Sequence, residues 1–147
     1  MILSYDPKHT MMNKQPETKI CVQCGAGKLV RDVRSIPFEY RGRKTVVHAV
    51  AGLFCSQCGE GYLDEAAAFS TTISKFAQKV DTEDARIVAR VRRKLKLTQV
   101  EAARLTGGGP NAFSRYERGK AKPMPAVVNL FKLLEKHPEL LAELRKA

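Results

Sequence analysis

The chain has no long apolar run. No stretch reaches the roughly 18 residues that a membrane-crossing helix needs, so the sequence reads as free of membrane spans. The N-terminus also lacks the apolar core of about 7–15 residues that marks a secretory signal, and the expected compartment is the cytoplasm. Acidic residues are few: 15 Asp and Glu stand against 26 Lys and Arg, a formal net charge of +11. The deficit is uneven. Residues 81–147 hold 15 basic and 8 acidic side chains, a net of +7, and residues 1–80 hold 11 and 7, a net of +4. A surplus of this kind suits a polyanionic partner, most simply nucleic acid, although a basic soluble protein accounts for the charge alone equally well. No cluster of acids, bases and nucleophiles stands out, so the expectation is a protein that is not an enzyme. Cysteine is limited to four. Without an export signal these four point to a metal in a reducing compartment rather than to disulfides.

What the sequence does contain begins with the placing of those cysteines. Cys21 and Cys24 form one C-x2-C, and Cys55 and Cys58 form another. Two such pairs supply four thiolates, the donor set of a tetrahedral Zn2+ site. One structural Zn2+ per chain is expected, since four sulfurs leave no open position for catalytic water. The intervening segment exceeds the roughly 15–20 residues of a common zinc-ribbon spacer. Free or disulfide-paired cysteines, and a redox C-x-x-C, are the alternatives. Gly25 and Gly59 each follow a pair, where a positive φ is useful. Residues 28–36 and 44–54 are rich in Val, Ile and Leu and read as antiparallel strands, with Arg41-Gly42-Arg43 as the turn. His48 is an alternative ligand, but reads more simply as an ordinary strand residue. Arg41, Arg43 and Lys44 suit a partner contact or plain solvation equally.

Helical text follows. Phe69, Ile73, Phe76 and Val80 recur at helical spacing over 64–80, with Asp64 as a cap. Asp81 to Asp84 read as a link and a fresh N-cap, and a domain boundary is expected there. A second helix over 84–95 carries Ile87, Val88, Val91 and Leu95 on one face and a basic cluster on the rest. Thr98-Gln99-Val100-Glu101 is a capping box opening a third helix, from which Val100, Ala103 and Leu105 are expected to point inward. Gly107-Gly108-Gly109 ends it. Pro110 suits the first position of the next short helix. Asn111 and Arg115, four apart, share one face of that helix. Asn pairs with adenine and Arg with guanine in the major groove, so these two are candidate base readers; a solvated face with an N-terminal cap is the plainer alternative. Gln99 is a candidate phosphate contact or a simple surface residue. Phe113 and Tyr116 are expected to anchor the short helix to a core. Val127, Val128, Phe131 and Leu134, then Leu140, Leu141 and Leu144, complete the apolar helices, as core or as a dimer interface. Helix, capped helix, glycine turn and short helix is the helix-turn-helix order.

The expected fold is therefore α+β in two domains. A small zinc-bound β-sheet plus helix occupies 19–80, and an all-α five-helix helix-turn-helix domain occupies 81–147. Residues 1–18 are polar and aperiodic and read as a disordered leader, with Met1, Met11 and Met12 all readable as the start.

The stretch LTQVEAARLTGGGPNAFSRYERG resembles the Xre/Cro-type helix-turn-helix. Together with the two C-x2-C pairs, FEYRGRKTV and KHPELL, the chain from about 19 to 145 resembles the MqsA (YgiT-type) antitoxin family. The resemblance implies an antitoxin of a type II toxin–antitoxin system. It implies that the zinc domain binds an MqsR-like mRNA interferase toxin, and that the C-terminal domain forms a homodimer on palindromic operator DNA and represses the operon. Carried over residue by residue, it implies zinc on Cys21, Cys24, Cys55 and Cys58, and base contacts from Asn111 and Arg115. Pro110 before the Asn, and the segment 76–81, depart from the family pattern. The alternative reading is a stand-alone, zinc-containing Xre-family transcriptional regulator.

Overall fold

The computed structural model describes residues 19–146, and the expected leader over 1–18 lies outside them. Three strands come first: β1 (Leu29–Tyr40), β2 (Arg43–Cys55) and β3 (Gly61–Leu63), in the sheet order β1-β2-β3. Five helices follow: α1 (Ala66–Lys94), α2 (Gln99–Leu105), α3 (Ala112–Glu117), α4 (Pro125–Lys136) and α5 (Leu140–Leu144). The class is α+β, as expected. The chain divides into two compact units, one of residues 19–34 with 49–66 and the other of residues 35–48 with 67–146.

The first unit has a small core of Cys21, Val50, Phe54 and Cys55. β3 runs antiparallel to β2, with Gly52 opposite Leu63 and Phe54 opposite Gly61. Gly61 leaves room for the Phe54 ring, which a Cβ there would meet at 2.7 Å. Arg34 lies over the same ring at 4.2 Å, and Arg31 pairs with Asp64 at 2.7 Å. Along β2 the half-buried positions are odd from Arg43 to Val47, and the most buried ones are even from Val50 to Phe54, with Cys55 buried as well. Ala49, at φ 56°, is the extra residue that shifts the phase, as in a β-bulge.

In the second unit the β1–β2 turn is tight, with both Arg41 (φ 51°) and Gly42 (φ 74°) in the left-handed region. Its side chains grip α1. Arg43 Nη2 lies 2.7 Å from Asp84 Oδ1, and Arg41 Nη1 lies 3.4 Å from Asp84 Oδ2 and donates to the Pro123 carbonyl at 2.8 Å. Tyr40 donates to Asp81 at 3.1 Å, and Phe38 meets Phe76 edge-on with centroids 6.1 Å apart.

The link and fresh helix start expected at Asp81–Asp84 are absent. α1 runs unbroken through them. Both aspartates pair with the hairpin arginines instead of capping, no Gly or Pro stops the helix, and its apolar side continues through Val80, Val88 and Val91.

The helical core gathers Val88, Val91, Leu97, Ala102, Ala103, Phe113, Val127, Val128, Phe131, Leu134 and Leu141. Ala102 and Ala103 are the inward residues of α2, whereas Val100 is 51% exposed, contrary to the expectation. Among the described residues no helix is long and apolar enough to cross a membrane.

Candidate functional site

The two C-x2-C pairs fold into matching knuckles. In the first, the Cys21 N–H donates to the Gly27 carbonyl and the Gly25 N–H to the Cys21 carbonyl, both at 2.8 Å. In the second, the Cys55 N–H donates to the Glu60 carbonyl at 2.8 Å and the Gly59 N–H to the Cys55 carbonyl at 3.3 Å. Gly25 (φ 68°) and Gly59 (φ 76°) make the reversals, at angles that a side chain would resist.

The knuckles bring all four sulfurs within 4.8 Å of one another. Cys21 Sγ is 3.7 Å from Cys58 Sγ, and Cys24 Sγ is 3.7 Å from Cys55 Sγ. Four sulfurs bonded to one central ion at about 2.3 Å sit roughly 3.8 Å apart, so the spacing is that of a tetrahedral thiolate cage. Cys21 and Cys55 are buried, and Cys24 and Cys58 are exposed.

The electrostatics fit the same use. N–H donation from Cys58 and Gln57, each at 3.4 Å, holds the Cys55 thiol down at about 6. The Ala26 and Gly27 N–H groups lower that of Cys24. Cys58 goes the other way: the Glu60 N–H favours its thiolate, yet partial loss of hydration at its sulfur and the three neighbouring sulfurs push it up to about 12. Four sulfurs this close cannot all carry negative charge alone, and a cation at their centre removes the conflict. The donor set thus fits a metal ion. His48 takes no part; its Nδ1 lies 3.0 Å from Ser35 Oγ.

Gly27 is a site residue that the sequence reading missed. A Cβ there would lie 2.2 Å from Cys55 Sγ, so backbone alone fits against that sulfur. The signal was present: Cys24-Gly25-Ala26-Gly27 and Cys58-Gly59-Glu60-Gly61 repeat one pattern, C-G-x-G.

The second cluster lies on α2 and α3. The capping box of α2 forms as expected, with the Glu101 N–H donating to Thr98 Oγ1 at 3.1 Å and the Thr98 N–H to Glu101 Oε2 at 2.8 Å. α3 begins at Ala112, two residues later than the expected Pro110 start, with Asn111 as its N-cap residue. The Asn111 side chain makes no cap hydrogen bond, which leaves its amide free, and both Asn111 and Arg115 are exposed. Phe113 is fully buried, with its ring 5.2 Å from that of Phe131 and 5.7 Å from that of Tyr116.

Gln99 does not point outward alone. Its Nε2 donates to Glu117 Oε2 at 3.0 Å. The same carboxylate receives Arg92 Nε at 2.6 Å and Nη2 at 3.0 Å, and Arg92 Nη1 donates to the Leu97 carbonyl at 2.7 Å. Arg92 and Glu117 were also missed, because only the packing of α1 against α3 brings them together. Arg41 and Arg43, read as partner contacts or solvated turn residues, are instead committed to Asp81 and Asp84.

Comparison with known proteins decides the family. Residues 19–145 match the family described as the antitoxin component of bacterial toxin–antitoxin systems, MqsA. The chain belongs to the MqsA antitoxin family. It is 43% identical over 129 residues to Antitoxin MqsA of Escherichia coli (strain K12), an alignment covering 85% of this chain and 98% of that protein. It is also similar to the solved N-terminal domain of E. coli MqsA, at 34% identity and a TM-score of 0.40, over 42% of this chain and 96% of that domain. An MqsA-type antitoxin therefore combines here a four-cysteine cluster that could hold a metal with the α2–α3 helix pair, of which α2 carries a capping box.

Proposed function

We propose that this MqsA-type antitoxin binds and neutralises an MqsR-like mRNA interferase through its zinc-bearing residues 19–80. In the same reading it represses its own operon through residues 81–147. One Zn2+, held by Cys21, Cys24, Cys55 and Cys58, ties the knuckles together and supplies folding energy to a sheet with little core of its own. Four sulfur donors leave that ion no open position, so its role is structural and the protein acts by binding, not catalysis.

Residues 81–147 form a homodimer on palindromic operator DNA in the cytoplasm. Half-sites then lie about one helical turn, or a multiple of it, apart. Asn111 and Arg115 read base edges from the start of α3, Asn on adenine and Arg on guanine. The net charge of +7 on this part of the chain supplies the general attraction to phosphate.

The observation that carries this reading is that a single family match spans both the cysteine cage and the α2–α3 pair. The test is growth rescue. The open reading frame next to this gene is expressed in a susceptible host with and without the chain. Growth arrest by the neighbour, relieved by the chain, is the expected result. A harmless neighbour, or arrest without relief, removes the toxin-binding half and leaves a zinc-containing operator-binding regulator.

A further inference from the structure

The cage holds every cysteine of the chain, and all four are free. Two sulfur–sulfur contacts of 3.7 Å run between the knuckles. Cys24 Sγ meets Cys55 Sγ, 31 positions away in sequence, and Cys21 Sγ meets Cys58 Sγ, 37 positions away. Each contact joins unlike partners. Cys24 and Cys58 are exposed, whereas Cys55 and Cys21 are buried. A thiol open to solvent beside a sheltered second thiol is the arrangement of an oxidisable cysteine with its resolving partner.

The geometry leaves little to be moved. A disulfide needs about 2.05 Å between its sulfurs, so each pair has roughly 1.7 Å to close. The Gly27 backbone lies against both members of the first pair and carries no side chain to part them: its N–H donates to Cys24 Sγ at 3.4 Å, and a Cβ there would lie 2.2 Å from Cys55 Sγ. Four thiolates this close repel one another, and a disulfide is neutral. We propose that the pairs Cys24–Cys55 and Cys58–Cys21 are sites of reversible oxidation by a peroxide, and that the oxidised cage gives up its metal while its two knuckles stay joined.

The exposed thiolate attacks one peroxide oxygen. The O–O bond breaks, hydroxide leaves, and the sulfur becomes a sulfenic acid. The buried thiolate of the same pair then attacks that sulfur. The S–S bond forms, the S–O bond breaks, and a second hydroxide leaves. Each pair thus loses two electrons, and one peroxide molecule takes both. Two donors go with each disulfide, so the cage can no longer hold an ion, but a covalent link now spans the knuckles where the ion did. In a reducing compartment such bonds are transient and belong to sensing, and a dithiol returns them to thiols. The helical core holds no cysteine, so the reaction addresses the knuckle unit and leaves that core as it is. It needs neither a toxin nor DNA.

The experiment treats the full-length, Zn2+-loaded chain with hydrogen peroxide. A chromogenic indicator reads released metal, and mass spectrometry of tryptic peptides reads the pairing. Lys19 and Lys28 flank the first knuckle, and Lys44 and Lys75 the second, so bonds between knuckles join two peptides that are otherwise separate. Fragmentation within each peptide assigns the partners. The expected result is loss of the bound metal together with Cys24–Cys55 and Cys21–Cys58 bonds, both reversed by dithiothreitol with metal binding restored. The oxidised chain should also keep the sheet signals of residues 19–34 and 49–66 in the presence of a chelator. Bonds inside a knuckle, Cys21–Cys24 or Cys55–Cys58, would overturn the pairing and with it the proposal. So would sulfonic acids at Cys24 and Cys58 without any disulfide, metal retained through the treatment, or sheet signals lost on oxidation.

Discussion

Gly27 carries the sharpest constraint on the metal cage. Any side chain there meets Cys55 Sγ, since a Cβ would lie 2.2 Å from it. The Gly27 N–H also donates to Cys24 Sγ at 3.4 Å, so one backbone unit touches sulfurs from both knuckles. Gly27→Ala should weaken metal retention by about 10–100-fold, the range for groups that orient metal ligands. Competition with a chromogenic chelator measures this, and unchanged retention would show that the knuckles can part without loss. The four ligand candidates were legible from spacing alone, because C-x2-C is a local pattern. Gly27 was legible only as a repeat of C-G-x-G, and its reason, contact with a cysteine 28 positions later, is tertiary.

At the scale of elements, α1 is where local signals and the fold disagree. Asp81-Thr82-Glu83-Asp84 is sound N-cap text. Two arginines from the β1–β2 turn convert it into helix interior by pairing with the aspartates, and Asp84 is left only 2% exposed. Removing the arginines and removing the aspartate should differ. Arg41→Ala with Arg43→Ala leaves a buried carboxylate without its partners, which costs about 3–5 kcal/mol. Asp84→Ala instead leaves two partly exposed arginines that can reach water, at 16% and 27% exposure, and should cost less. Denaturant melts of the helical signal give the order, and the reverse order would mean that Asp84 is not the dependent partner. The short reading helix shows a milder override. Pro110 suits a first helical position, yet α3 begins at Ala112, because the chain must first complete the turn that seats Phe113 in the core. Val100 follows the apolar pattern but lies exposed, and the smaller Ala102 takes the inward place.

At the scale of the whole molecule, the two units draw on different sources of stability. The helical unit buries an apolar cluster of eleven residues from Val88 to Leu141. The knuckle unit buries little beyond Val50, Phe54 and two of the cysteines themselves. A unit with so small a core would draw much of its folding energy from an ion bound by its four sulfurs. Chelation should therefore abolish the sheet signals of residues 19–34 and 49–66 in a spectrum recorded residue by residue. The cooperative melting of the helices should persist, because their core holds no cysteine. Loss of both together would show that the helical core does not stand by itself; loss of neither would remove the metal from the stability of the chain.

The sequence by itself determined the cysteine cage, the capped helix pair, the α+β class and the family, because each is written in patterns a few residues long. C-x2-C, Thr-x-x-Glu and the triple glycine act through bonds to near neighbours, and a linear reading sees near neighbours. The tertiary structure alone decided that α1 is one helix, that Arg41 and Arg43 face inward, and that Gln99 and Arg92 meet on Glu117. Each depends on charges far apart in the chain, and a buried charge takes whichever partner the packing brings within reach.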